Sequence, residues 1–290
     1  MAAEVRIGTC SWADEGLVKH WYPRGVSSAE ARLRYYAERF DVVEVDSPFY
    51  RLPAPEVAAK WAERTPPGFV FHVKASGEIT GHRESELEPA FAEFREALGP
   101  LEASGKMRGV LLQYHPRFKK SQEALDELAR VRPLLDPLTP LIEFRHRSWV
   151  TEDELADTLR FLERHGLAFV SVDSPPTRAT NVVPTIAAVT HPVAYVRFHG
   201  RNWRTWNICD ARSSADRFDH MYTEEELAEW VEPMGRLADE AEEVYALMNN
   251  NRDDFAPRSA KILRGLLDEA GVPATGAVEP IVDAQLDLGL

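Results

Sequence analysis

The stretch Val193-Ala-Tyr-Val-Arg-Phe-His199 decides how this chain folds. It is short and apolar enough for a strand, yet it carries two ionisable side chains at its carboxyl end. Side chains at i and i+2 of a strand face the same way, so Arg197 and His199 share a face. Desolvating an unpaired charge is expensive, so charges persist inside a strand only where they meet partners. The same arrangement recurs along the chain. Glu44, Lys74, Gln113, Glu143 with Arg145, Asp173 and Asn249-Asn250 each sit near the carboxyl end of a short apolar run. Strands that are polar at one common end predict a single convergent site, which is how a parallel barrel builds an active centre.

Outward from these runs, strands are expected over 5–10, 42–47, 69–74, 109–114, 141–145, 167–173, 193–199 and 243–249. Helical patterns alternate with them over 28–40, 54–64, 89–98 and 121–131, after 151 and 223, and over 256–267. Ser27-x-x-Glu30, Thr151-x-x-Glu154 and Thr223-x-x-Glu226 fit capping boxes, in which a hydroxyl and a carboxylate satisfy free backbone N–H groups. Eight such units match the length of an α/β protein of the (β/α)8 TIM-type barrel class. An open doubly wound sheet is the competing fold, but no Gly-x-Gly-x-x-Gly turn follows the first strand. The expected organisation is one barrel domain over 1–270 and a flexible tail over 271–290, small, Pro-containing and aperiodic at its start.

The 290 residues include 47 acidic and 34 basic side chains, a net charge of -13 that repels nucleic acid phosphates on average. Nucleic-acid binding would need a local basic patch or a tether. Cys10 and Cys209 are too few for a thiolate metal site or a disulfide framework. Residues 1–6 lack a secretion signal, and no apolar run is long enough to span a membrane. A cytoplasmic protein is expected.

In the expected strands Glu143 and Arg145 share a face, as do His72 and Lys74, and Glu44 and Asp46. Lys74, Arg145 and Arg197 suit the binding of negative charge, because guanidinium forks and ammonium groups hold phosphate or carboxylate. Glu143 and His199 suit proton transfer near neutrality, with Asp173 and Glu44 orienting them and Gln113, Asn249 and Asn250 bonding substrate. A buried Lys74 also suits nucleophilic or base chemistry, although pairing with Glu44 or another carboxylate is the plainer expectation. Trp12, Tyr50, Trp149, Trp203 and Trp206 lie on loops at the same end and suit the walls of a ligand site. The loop 200–222 is long for a barrel connection, as lids are. A divalent ion on Glu143, Asp173 and His199 is the alternative use of those residues, and Arg145 and Arg197 weigh against it.

Ile7-Gly-Thr-Cys-Ser-Trp12, Glu44-Val-Asp-Ser-Pro-Phe-Tyr-Arg-Leu-Pro53, Phe71-His-Val-Lys74, Glu143-Phe-Arg-His-Arg-Ser-Trp149, Tyr195-Val-Arg-Phe-His-Gly200 and Asn249-Asn250 together resemble the YecE-like family, a domain of unknown function. The match runs in order over about residues 5–267 and implies a TIM-type barrel without naming a reaction. It departs at the turn Thr9-Cys10-Ser11-Trp12, where the family has Ser-Gly before the Trp, and at Thr80-Gly81-His82, where the family has Thr-His.

The tail ends in Gln285-Leu-Asp-Leu-Gly-Leu290. It resembles the short peptides by which bacterial replication and repair proteins dock on the sliding clamp, with Gln285, Leu286, Leu288 and Leu290 as the contacts. Such an arm raises the effective concentration of what it tethers. The residues therefore support an enzyme of hydrolase or lyase type acting on a polar anionic, phosphorylated, nucleotide- or sugar-like molecule. A clamp-tethered DNA-processing accessory or metal-dependent phosphoesterase and a non-catalytic metabolite-binding protein are the other readings.

Overall fold

Strands buried on both faces need apolar side chains in both directions, and the strand burial here is nearly continuous. The computed structural model describes residues 2–209 and 213–278. Among them β1 (Val5–Thr9), β2 (Val42–Val45), β3 (Val70–Lys74), β4 (Met107–Gln113), β5 (Thr139–Glu143), β6 (Ala168–Asp173), β7 (Val193–Phe198) and β8 (Glu243–Met248) run parallel. Each pairs with the next, and β1 closes the ring by pairing with both β8 and β2. The expected (β/α)8 barrel is the fold observed.

The helices are α1 (Glu15–His20), α2 (Ala29–Ala37), α3 (Pro55–Glu63), α4 (Leu87–Ala103), α5 (Gln122–Leu135), α6 (Leu155–Arg164), α7 (Trp203–Trp206), α8 (Ser214–Arg217), α9 (Glu224–Ala228), α10 (Val231–Glu240) and α11 (Phe255–Glu269). The Thr223–Glu226 capping box forms as expected at α9. The other two do not. Ser28, one residue later than expected, caps α2 by accepting from Ala31 N, and Glu154 precedes α6 with no side-chain cap bond. Within 151–155 the backbone carbonyl of Thr151 accepts from Glu154 and Leu155 instead. Cap choice depends on where the chain enters the helix, which local spacing leaves free by a residue.

The expected tail boundary at 271 is too early. β9 (Ala274–Thr275) adds to β1, Thr275 Oγ1 donates to Asp41 Oδ2 at 2.7 Å, and Val278 N donates to Arg39 O. Residues 271–278 therefore belong to the barrel, held where β2 leaves the start of β1, Val5 and Arg6, without a neighbour, which local aperiodicity cannot reveal. Gln285, Leu286, Leu288 and Leu290 lie outside the described residues.

Register fixes which side chains enter the barrel. Glu44 lies opposite His72 and His72 opposite Gly109; Gln113 lies opposite Glu143; Arg197 lies opposite Val172 and Leu247. These positions face inward. A Cβ at Gly109 would stand 2.9 Å from His72 Nδ1, so the glycine makes room for that ring. Asp173 and Phe198 are paired on the opposite face and point outward. No helix of the described residues is long and apolar enough to cross a membrane.

Candidate functional site

The carboxyl ends of β2, β4, β5 and β7 meet around the wholly buried guanidinium of Arg197. Its Nη1 lies 2.6 Å from Glu143 Oε2 and its Nη2 2.5 Å from Glu44 Oε1. One planar cation thus bridges two carboxylates from separate strands. Tyr195 donates its hydroxyl to the second Glu44 oxygen at 2.8 Å, and the buried Cys10 thiol lies 3.7 Å from Nη2. Glu143 Oε1 receives Gln113 Nε2 at 2.7 Å, His199 Nε2 at 3.1 Å and Arg145 Nη1 at 3.3 Å.

Electrostatics assigns these groups different work. Burial opposes ionisation of Glu143, but Arg197, His199 and Arg145 outweigh it and hold the carboxyl well below the usual range. Glu143 is thus held as an anion, a state that suits an ionic frame better than the proton transfer expected of it. Its oxygens can only accept, so His199 Nε2 bears the hydrogen, and Nδ1 accepts from Asn249 Nδ2 at 2.9 Å. Burial lowers His199 to about 4, against the pull of Glu143. The ring is therefore neutral near pH 7, committed at both nitrogens and stacked on Phe218. It too is no ready proton carrier.

Glu44 behaves oppositely. Burial raises it to about 7; Arg197 offsets this only in part, and neighbouring Asp46 adds to the rise. Asp46 lies close enough for its charge to oppose ionisation of Glu44. Glu44 lies on β2, and Asp46 follows the end of that strand by one residue. Only Asp46 of this pair reaches the open site.

That site is a cavity of about 600 Å³ at the carboxyl end of the barrel. Of the residues expected to serve it, Lys74, Arg145, Gln113, Asn249 and Tyr50 line it, while Glu44, Glu143, Arg197 and His199 form the buried layer adjoining those side chains. The Lys74 ammonium rests 4.4 Å from the centre of the Phe49 ring. It has no hydrogen bond or ion pair among the described residues, contrary to the expected pairing, because Arg197 and Tyr195 already occupy Glu44. Arg145 lies 4.8 Å from the Trp206 ring centre. The long loop after β7 supplies Trp206, Asn207, Ile208, Cys209, Ser213, Arg217 and Phe218 to the lining.

Five expected site residues are elsewhere, among them Trp203, which is exposed and outside the lining. Asp173 is fully buried on the outer face of the wall, where Arg201 grips it through Nε and Nη2, the latter at 2.7 Å, Tyr222 donates at 2.6 Å and Trp230 Nε1 at 2.8 Å. It anchors the base of the long loop, and with it on the far face the trio Glu143, Asp173 and His199 cannot share an ion. Among the described residues no cluster of three or more His, Cys, Asp or Glu is arranged to hold a metal. Asn250 is turned to His220 O and Ser259 Oγ. Trp149 stacks on Phe144 and donates to Phe118 O, and Trp12 packs edge-on against Trp61 and Phe71. Both tryptophans are packing and not ligand walls.

Sequence reasoning missed Asp46, His82, Arg217 and Phe218 as lining residues. The Glu44-x-Asp46 spacing carried a usable signal for the first. The others sit on loops, where no periodicity tells direction. His82 is lowered to about 4 by burial, aided by His115, Lys74 and Arg145, so it is neutral beside the cations.

The model of a family described as protein of unknown function DUF72 matches residues 6–281. The chain is 30% identical to the UPF0759 protein YunF of Bacillus subtilis, over 91% of this chain and 95% of that one. It is 28% identical to the UPF0759 protein YecE of Escherichia coli K12, over 66% of this chain and 75% of that one. Crystal structures of DUF72 family proteins superpose closely. One from Enterococcus faecalis has TM-score 0.81 at 28% identity, covering 91% of this chain and 95% of that chain. One from Thermotoga maritima has TM-score 0.80 at 29% identity, covering 91% and 99%. A D-psicose 3-epimerase shares the fold alone, with TM-score 0.51 at 12% identity.

Proposed function

The chain belongs to the DUF72 family of unknown function, and from that premise we propose that it is an enzyme acting on a small anionic molecule held in the barrel mouth. The observation that carries this reading is the charge of the cavity. Lys74, Arg145 and Arg217 line it against a single carboxylate, Asp46, among the described residues, in a chain whose net charge is -13. Cations placed against the sign of the whole molecule concentrate an anionic ligand there.

The proton chemistry falls to Asp46 backed by Glu44. A carboxyl raised to about 7 is half-loaded with its proton near neutrality, and Asp46, beside it and lining the cavity, is placed to exchange that proton with a ligand. Glu143 and Arg197 keep the pair in place as a fixed ionic frame. A hydrolase or lyase step needs this kind of reversible donor and acceptor.

A thermal-shift screen of anionic metabolites, with hits followed by NMR for turnover, tests the proposal. Lys74→Met is expected to weaken binding. Asp46→Asn is expected to keep binding and lower turnover by about 10² or more. Tight binding without turnover would support a metabolite-binding protein instead. Full turnover by Asp46→Asn, or no anion that stabilises the protein, would overturn the assignment.

A further inference from the structure

Resting on the reading of the mouth as an anion site, we infer that its ligand is a phosphorylated polyol: a dianionic phosphomonoester at one end and hydroxyl groups along the rest. The argument begins with charge. Two of the three lining cations, Lys74 and Arg145, sit on aromatic faces, 4.4 Å from Phe49 and 4.8 Å from Trp206. A ring attracts a cation without cancelling its charge. Arg145 also meets Glu143, a carboxylate it shares with Arg197. Arg217 has no ion pair among the described residues, and it lies close enough to Arg145 for the two to repel. Against Asp46 the described lining residues carry two positive charges in excess. A phosphomonoester near neutral pH carries close to two negative charges, whereas a carboxylate or a phosphodiester carries one.

Hydrogen-bonding capacity points the same way. Arg145 Nε and Trp206 Nε1, on two of the lining side chains, are buried donors with no partner among the described residues, which an acceptor oxygen would satisfy. The amides are oriented the other way. Gln113 Nε2 is spent on the ionised Glu143, and Asn249 Nδ2 on the acceptor nitrogen of His199. Their oxygens, Gln113 Oε1 and Asn249 Oδ1, are left to accept, which calls for donors on the ligand. Hydroxyl groups supply them. A site that offers donors among its cations and amide acceptors beside them reads phosphate and polyol together.

Isothermal titration of the intact protein at about pH 8, above a phosphate second pKa of about 6, separates the parts. The probes are glucose 6-phosphate, glucuronate, glucose and methyl phosphate. Glucose 6-phosphate is expected to bind about tenfold or more tighter than each of the others, the spread that charge-assisted and hydroxyl contacts supply. Arg217→Gln, on the surface loop and safe for folding, is expected to reduce its affinity about tenfold while leaving that for glucose unchanged. Glucuronate binding as well as the phosphate ester would overturn the phosphate assignment and leave the anion reading standing. Methyl phosphate matching glucose 6-phosphate would overturn the polyol half. If none of the four binds while a di- or tricarboxylate does, the inference falls alone; if no anion of any class binds, both fall.

Discussion

Glu143 and Asp173 invite comparison, because each is a fully buried carboxylate at the end of a barrel strand and each is wrapped in donors. Glu143 faces inward, where Arg197, Gln113, His199 and Arg145 tie it to the floor of an open site. Asp173 faces outward, where Arg201 and Tyr222 fasten it to the loop that lines that site and Trp230 ties it to the start of α10. Burial, charge and saturation with hydrogen bonds are thus shared by a group beside the chemistry and a group that only holds the architecture. Pleat parity separates them: one residue of register moves a carboxylate from one role to the other.

Arg197→Met should break the inner side most severely. It strands Glu143 and half of Glu44's neutralisation in the barrel, at a cost of about 3–5 kcal/mol in chemical denaturation. Replacing Glu44 and Glu143 by Gln in the same protein should recover much of the loss, since the desolvated charges go together. A single-variant cost below about 1 kcal/mol would mean the frame is not a matched ionic unit.

Deeper in the same interior, His72 packs edge-on to Tyr195 and Tyr245 with neither ring nitrogen bonded, and burial lowers it to about 3. The unfolded chain binds a proton near pH 6.5 that the folded ring refuses. Its stability contribution is therefore whole above 6.5 and is lost as pH falls toward about 3. Glu44 has the opposite sign, being most stabilising below 4.5 and losing that contribution as pH rises through about 7. His72→Phe should relieve the acid-side loss by about 1 kcal/mol per pH unit between 6.5 and 5, read from urea midpoints. Identical slopes in variant and parent would show that this ring accepts protons in the fold.

On the outer side, Asp173→Asn keeps the shape but cannot accept from Arg201, Tyr222 and Trp230 alike. A loss of about 2 kcal/mol is expected, with faster hydrogen exchange confined to 200–222 and weaker ligand binding secondary to that loosening. Exchange that quickens in the barrel strands instead would erase the distinction between the two carboxylates. The smallest stability effect is expected for Arg145→Ala, about 1 kcal/mol or less, because Glu143 retains its bonds to Arg197, Gln113 and His199. Ligand binding should nevertheless be lost, and a variant that binds normally would remove Arg145 from the site.

Alternation of apolar runs with helical patterns was enough to read the eight-stranded barrel. The hydrophobic period is a local property, and closure follows from length and connection rules. Polar strand ends were equally legible, and the strand side chains found inside the barrel are the ones whose parity places them there. Direction at a strand end was not legible for Asp173, nor was it for Trp12 and Trp149 on their turns. Arg217 and Phe218 come from a loop, whose path no periodicity encodes.

Composition and pattern by themselves determined a barrel with its ionisable groups gathered at the carboxyl ends of the strands. Tertiary structure alone decided which carboxyl is held below the usual range and which is pushed above it. Glu143 and Glu44 are the same side chain, equally buried. One is surrounded by Arg197, Arg145, Gln113 and His199, whereas the other shares Arg197 with Asp46 at its side. A proton affinity is set by the field of neighbours that arrive from distant parts of the chain, and that field exists only once the strands have met.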